Sequence, residues 1–219
     1  MKKYRRVHAD IDLDAVLFNF DQMSKNIPNG TKIMAVVKTD AYGHGAVPIA
    51  SFIESCDYLW GFATATVDEA VELRQAGIEK PILILGYTFP ECYTHIVKHE
   101  IHQTIFSLDM AKALSKEAVR QNKKAYVHIK LDTGMGRIGY QTATEAAEEV
   151  EKISKLPMLE MEGVFTHFAN ADTSNQEYTL KQIEKFEEMV TAMEAVGVTF
   201  HLKHCANSAG IIELTEQKF

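Results

Sequence analysis

Three cysteines, five prolines and one tryptophan are all that 219 residues contain of these types. The cysteines are Cys56, Cys92 and Cys205: few, odd in number and far apart. That excludes a disulfide-stapled scaffold and points to reduced thiols, as in a cytoplasmic protein. No window approaches the ~18 continuous apolar residues of a membrane helix, so no membrane span is expected. The opening MKKYRRVHADID is basic but lacks the apolar core of a signal peptide. Cations are outnumbered, with 23 Lys and Arg against 30 Asp and Glu and a net charge of −7. Such a balance excludes general nucleic-acid binding, which wants a basic face, and leaves room for a local anion pocket. No Gly/Pro/Ser-rich linker and no low-complexity segment divides the chain.

What the chain does contain is a rhythm. Apolar, β-rich runs fall near 7–11, 33–38, 58–63, 82–85, 103–106, 125–131, 161–167 and 200–205. Helical patterns lie between most of them. Leu108, Met110, Ala111, Leu114 and Ala118 recur at helical spacing after Ser107, a plausible N-cap. Ile183, Phe186, Met189, Val190 and Met193 form another stripe. Runs such as PILILG and YVHIKL are continuously apolar, as in parallel strands covered on both faces. Repeated strand–helix units at near-constant spacing predict an α/β fold, and regularity favours a TIM-type barrel over a doubly wound sheet. Chemistry in such a barrel sits at the carboxyl ends of the strands.

Several reactive side chains fall at those ends. AVVKTDAYGHG carries an apolar run into Lys38. A lysine there either snorkels to solvent or is desolvated into a neutral, nucleophilic amine fit for a Schiff base. The tail favours the second reading: its glycines let backbone approach a ligand, and Tyr42 offers a phenol. HCANSAG, residues 204–210, reads as a helix start whose N–H groups and Ser208 hydroxyl suit an anion, or as an ordinary N-cap. GMGRIG, residues 134–139, fits the spacing of a dinucleotide loop. Its glycines precede a helix and do not open one, and no ribose-binding acid follows, so it is read as a loop presenting Arg137. A guanidinium there grips a carboxylate, phosphate or phenolate, or is a surface charge. His95, His99 and His102 would share one helix face, but Glu100 does not complete a metalloprotease motif, and a solvated face is the default. In HLKHC, strand alternation puts His201 and His204 on opposite faces, which argues against a metal site.

Taken in order, AVVKTDAYGHG, LDTGMGRIG, VFTHFANAD and HCANSAG resemble alanine racemase, a fold-type III pyridoxal-phosphate enzyme. The resemblance spans nearly the whole chain; Thr39 stands where the family usually has alanine. It implies a PLP-binding (β/α) barrel over residues 1–219 and interconversion of L- and D-alanine for the cell wall, in a cytoplasmic homodimer. Lys38 would carry the cofactor and act as one catalytic base, and Tyr42 would help hold the phosphate. Arg137 would sit near the phenolic oxygen and the substrate carboxylate, positioned by Lys130, a lysine often carbamylated in the family. His167 would lie by the cofactor ring and Leu85 in the cofactor shell. Asn207 and Ser208 would belong to the phosphate site, with His204 beside them. The family also implies more chain after HCANSAG: an arginine facing the pyridine nitrogen, an eighth barrel strand, and a β-rich domain with a tyrosine as second base. Seven of eight barrel strands are counted here, the run at 7–11 being taken as an extra N-terminal strand. The expectation is therefore one part of a racemase, poor at racemisation by itself. A stand-alone PLP barrel of the homeostasis type, a non-catalytic binding barrel, and a racemase of serine or another small amino acid are the other readings.

Overall fold

The computed structural model describes residues 7–214. The basic opening residues 1–6 and the end at 216–219, both singled out from the sequence, lie outside the described residues. Seven parallel strands form one sheet in strict chain order. They are β1 (Ile33–Val36), β2 (Leu59–Thr64), β3 (Ile82–Ile84), β4 (His102–Ile105), β5 (Ala125–Lys130), β6 (Leu159–Phe165) and β7 (Leu202–His204). Helix α1 (Leu13–Lys25) precedes β1. The segment α2 (Lys38–Gly43) and α3 (Ala46–Ile53) follow it. Next come α4 (Val67–Gln75), α5 (Tyr93–Lys98), α6 (Leu108–Gln121), α7 (Ala143–Ser154), α8 (Glu177–Ala195) and α9 (Ser208–Glu213). A sequential parallel order with a helix in most crossovers is the (β/α) barrel arrangement. Here it is an incomplete, curled barrel whose first and last strands, β1 and β7, do not pair with each other.

Local chemistry explains the elements. Ser107, the expected cap, accepts the Met110 N–H at 3.3 Å and starts α6. Asn122 ends α6 in the left-handed region, as asparagine tolerates. Thr142 caps α7 by accepting the Glu145 N–H. The strands run deep: every residue of β3 and β4 is buried. Helix and strand faces close one apolar core built on Phe62, Leu73, Ile82, Ile84, Ile96 and Leu114. At Gly61 on β2 a Cβ would run into the Pro81 carbonyl, so only glycine allows that approach.

One expected element does not form. Residues 7–11 make no strand, and Val7 is 87% exposed. A strand exists only where a neighbour takes its hydrogen bonds, and every strand of the sheet lies after residue 32. The chain enters α1 directly from Asp12, whose carboxylate accepts the Ala15 N–H at 3.0 Å. Leu13, Val16, Phe20 and Met23 then pack α1 on the core.

Candidate active site at the carboxyl rim

β1 stops at Val36, two residues short of the expected Lys38. The Val37 N–H still donates to the Ala63 carbonyl at 2.9 Å, and Lys38 then opens a left-handed helical turn. Thr39, Asp40, Ala41 and Tyr42 have φ of 53°, 54°, 50° and 57°. No residue in this run is glycine, and left-handed geometry costs about 1–2 kcal/mol per residue. Such strain persists only when the surroundings over-determine it. Three local contacts contribute. The Ala41 N–H donates to Val37 O, the Gly45 N–H to Asp40 O, and the Ala46 N–H to the Asp40 carboxylate at 2.7 Å. The turn leaves Lys38 half-buried, with Nζ 6.0 Å from the centre of the exposed Tyr42 ring. Two strands along the sheet, Leu85 follows β3 half-buried and is tied by its N–H to the Thr64 carbonyl of β2.

β5 delivers Lys130, 2% exposed, whose ammonium donates to the carbonyls of Leu131 and Ile138. Loss of solvent brings its pKa from 10.5 down to about 8; Asp132 opposes this and Arg137 adds to it. Burial alone would raise the Asp132 carboxyl. The Gly136 and Gly134 N–H groups and Lys130 outweigh it and hold the group below its usual value. Those same N–H groups, at 3.0 and 3.1 Å, curl the glycine loop around Asp132. The loop folds back on β5, where Asp132 N donates to Tyr140 O and Tyr140 N to Lys130 O. Gly139 sits so close to Leu131 and Asp132 that a Cβ would meet their backbone at 2.7 Å. The loop therefore precedes α7, as expected, and Arg137 stands exposed on it.

β6 ends at Phe165 and leads to Thr166 and the half-buried His167. Burial lowers the His167 pKa first, and the charges of Arg137, Lys130 and Lys38 lower it further. Lys38 after β1, Lys130 and Arg137 on and after β5, and His167 after β6 thus stand at the carboxyl ends of three strands of one parallel sheet. Gln182 of α8, fully buried, locks two of these units together. Its Oε1 accepts the Ala169 N–H at 2.9 Å, while Nε2 donates to Thr133 Oγ1 and to the His167 carbonyl. A Thr133–Thr166 hydroxyl pair at 2.9 Å adds a second tie.

His204 closes β7. Asn207 caps α9, its carboxamide oxygen accepting the Gly210 N–H at 2.9 Å, and leaves Ser208 exposed at the first position. Gly210 rests on the Phe168 ring, where a Cβ would sit at 3.3 Å, so α9 lies against the segment that follows His167. The Cys205 thiol is buried and pushed up to about 12, which makes it inert.

The sequence reading missed a line of histidines inside the barrel. His102 Nδ1 faces His128 Nε2 at 3.3 Å, and His128 Nδ1 faces His204 Nε2 at 3.0 Å. Trp60 meets His102 and His128 edge-on. Gly163 makes the room: a Cβ there would enter the His128 ring. Burial keeps His102 down to about 3 and His128 well below its ordinary value, so both are neutral. The signal was present in YVHIKL, where alternation puts His128 on the face of Lys130. The trio His95, His99 and His102 is split: His95 lies in α5, His99 just past it, and His102 inside the barrel on β4. His201 turns outward to Glu162 at 3.3 Å, away from His204. No cluster of three His, Cys, Asp or Glu among the described residues is placed to hold a metal ion.

Residues 11–219 match a family described as alanine racemase, N-terminal domain. The alanine racemase of Clostridium tetani is 44% identical over 98% of this chain and 55% of its own length. A crystal structure of alanine racemase from a D-cycloserine-producing Streptomyces lavendulae superposes with a TM-score of 0.92 at 32% identity, over 100% of this chain and 57% of that one. Alanine racemase of Clostridium difficile 630 in complex with cycloserine gives 0.90 at 40% identity, over 93% and 56%. The chain thus spans about half the length of the relatives it matches. Sequence, sheet order and the make-up of the rim agree with these matches, and the chain belongs to the alanine racemase family.

Proposed function

We propose that this chain forms the cofactor-bearing part of a pyridoxal-phosphate-dependent racemase that interconverts L- and D-alanine. The observation that carries the reading is the placement of Lys38, Lys130, Arg137 and His167 at or just after the carboxyl ends of parallel strands of one sheet. The residues fit the cofactor in charge and in kind. A cationic rim suits a phosphate and a phenolate, and Tyr42 and Ser208 stand exposed beside it as hydroxyl donors. His204 ends β7 and Asn207 precedes Ser208, while Leu85 stands just past the end of β3. When bound, the cofactor supplies a conjugated ring that draws off the charge left as the substrate α-proton departs.

Each side chain then has a task. The Lys38 amine would hold the cofactor and would take or return a proton on one face of the substrate. Arg137 steadies the phenolic oxygen and the substrate carboxylate. Burial first, and then the charges of Arg137, Lys130 and Lys38, disfavour a protonated His167, which suits it to accept or donate a hydrogen bond. Lys130 holds the glycine loop, and its lowered pKa leaves a fraction of neutral amine able to take up carbon dioxide as a carbamate. Alanine as substrate rests on the names of the relatives; a homodimeric whole protein and a role in supplying D-alanine are what the family resemblance implies. A cytoplasmic location agrees with three unpaired cysteines and with the lack, among the described residues, of a helix long and apolar enough to cross a membrane. The stand-alone barrel is not favoured, since curated relatives that the chain matches strongly are alanine racemases.

The test is chemical. Added pyridoxal phosphate should give a visible chromophore, and borohydride should fix it to the peptide containing Lys38. A colourless protein, or label spread over surface lysines, would refute the reading.

A further inference from the structure

Glu69 does more than its place in the sequence suggests. It is the third residue of α4, where a glutamate commonly completes a capping box. That box is present: Thr66 Oγ1 accepts the Glu69 N–H at 3.3 Å, and Glu69 Oε2 accepts the Thr66 N–H at 3.1 Å. The carboxylate goes on to take two more donors. Oε2 accepts the Ala65 N–H at 2.8 Å. Oε1 reaches across to the Thr39 N–H at 2.6 Å, a contact between residues thirty apart in the chain. No cation lies within ion-pair distance of Glu69 among the described residues. All three hydrogen bonds it accepts come from backbone N–H groups just beyond the ends of β1 and β2.

Thr39 follows Lys38 and is the first residue of the left-handed turn. The far end of that turn is held by Asp40 on Ala46. The near end is held by Glu69. With that carboxylate gone, the Thr39 N–H loses its acceptor, and the turn is free to relax toward the extended or right-handed backbone its residues prefer. Any such relaxation rotates the peptide that carries Lys38 and moves its amine.

We propose that Glu69 is a positioning residue for Lys38, fixing the left-handed turn to the start of α4 and so aiming the lysine amine into the rim. This rests on the reading of Lys38 as the cofactor lysine. A charged, bidentate acceptor is required, because two groups of N–H donors approach from opposite sides. Glu69→Gln presents only one oxygen, so it serves one side and turns an NH2 group toward the other. Thr66→Ala is the control: it removes the hydroxyl half of the cap and leaves the carboxylate in place.

Two readouts decide it. One is amide hydrogen exchange of Thr39 to Tyr42 without cofactor. The other is the borohydride-fixed fraction on Lys38 across a titration with pyridoxal phosphate. In Glu69→Gln, exchange at Thr39 should rise at least tenfold and half-loading should need about tenfold more cofactor; Thr66→Ala should change neither. The proposal is overturned if either readout in Glu69→Gln matches the parent, or if Thr66→Ala reproduces both changes. If Glu69→Gln does not fold, Glu69→Asp keeps the charge one methylene short and must show the same pair of changes. A parent chain that fixes no cofactor on Lys38 refutes the functional reading alone, and Thr39 exchange still reports on the clamp.

Discussion

Lys130 should make the protein more stable as pH rises through a range in which an exposed lysine contributes nothing. Its ammonium is 2% exposed and its pKa lies at about 8, against 10.5 in the unfolded chain. Below pH 8 both states carry the proton, and the cost of burying the charge is fully present. Between pH 8 and 10.5 the unfolded chain binds a proton that the folded chain does not, so stability rises with pH. Above 10.5 both are neutral and the cost is gone. The pKa difference corresponds to about 3 kcal/mol. The assay is urea unfolding of the parent and of Lys130→Met at pH 7 and at pH 10.5, in reducing buffer free of carbon dioxide. Other titrating groups largely cancel in the difference between the two proteins. The parent should gain about 3 kcal/mol relative to the variant over that range. A difference independent of pH, or one that moves the other way, would refute the placement of a charged lysine in a dry site.

The buried histidines set the opposite limit. His102 and His128 have lowered pKa values, so below pH 6.5 only the unfolded chain takes up their protons. Each histidine should cost about 1.4 kcal/mol per pH unit between 6.5 and the folded value; an unchanged urea midpoint from pH 7 to pH 5 would count against this. Thr39→Gly should raise stability by about 1 kcal/mol, because a β-branched residue at φ 53° is replaced by one free to adopt it; a lower melting temperature would contradict it. Gly163→Ala forces a methyl into the His128 ring and should cost about 2 kcal/mol or more in denaturant titrations. Gln182→Leu strands the Ala169 N–H and should cost about 2 kcal/mol. It should also weaken cofactor uptake, since it unties the His167 and Arg137 segments; unchanged uptake would show that these segments hold their places unaided.

Much of the rim can be read in the chain. Lys38, Arg137, His167 and Asn207–Ser208 follow apolar runs, and in parallel strands such runs end at the same end of the sheet. PILILG and YVHIKL announce strands because a strand buried on both faces needs apolar residues at nearly every position. The helical stripe that begins at Leu108 belongs to a helix that runs to Gln121, where Asn122 stops it. The run at 7–11 misled because period alone cannot report whether a partner strand exists.

The left-handed turn after Lys38 is invisible in the sequence for a different reason. KTDAY contains nothing that demands positive φ, and each residue alone prefers otherwise. The conformation is selected by Asp40 gripping Ala46 and by Glu69 gripping Thr39, and the second of these contacts exists only once β1 and β2 lie side by side. His128 and Gly163 make a similar pair, the missing Cβ on β6 being legible as a space only when β5 is beside it. Periodicity and residue type, which act over a few neighbours, settled the alternation of strands and helices and the end of the sheet at which chemistry gathers. Distances, protonation states and the aim of Lys38 depend on desolvation and on hydrogen bonds between units far apart in the chain, and these arise only when the sheet curls and packs.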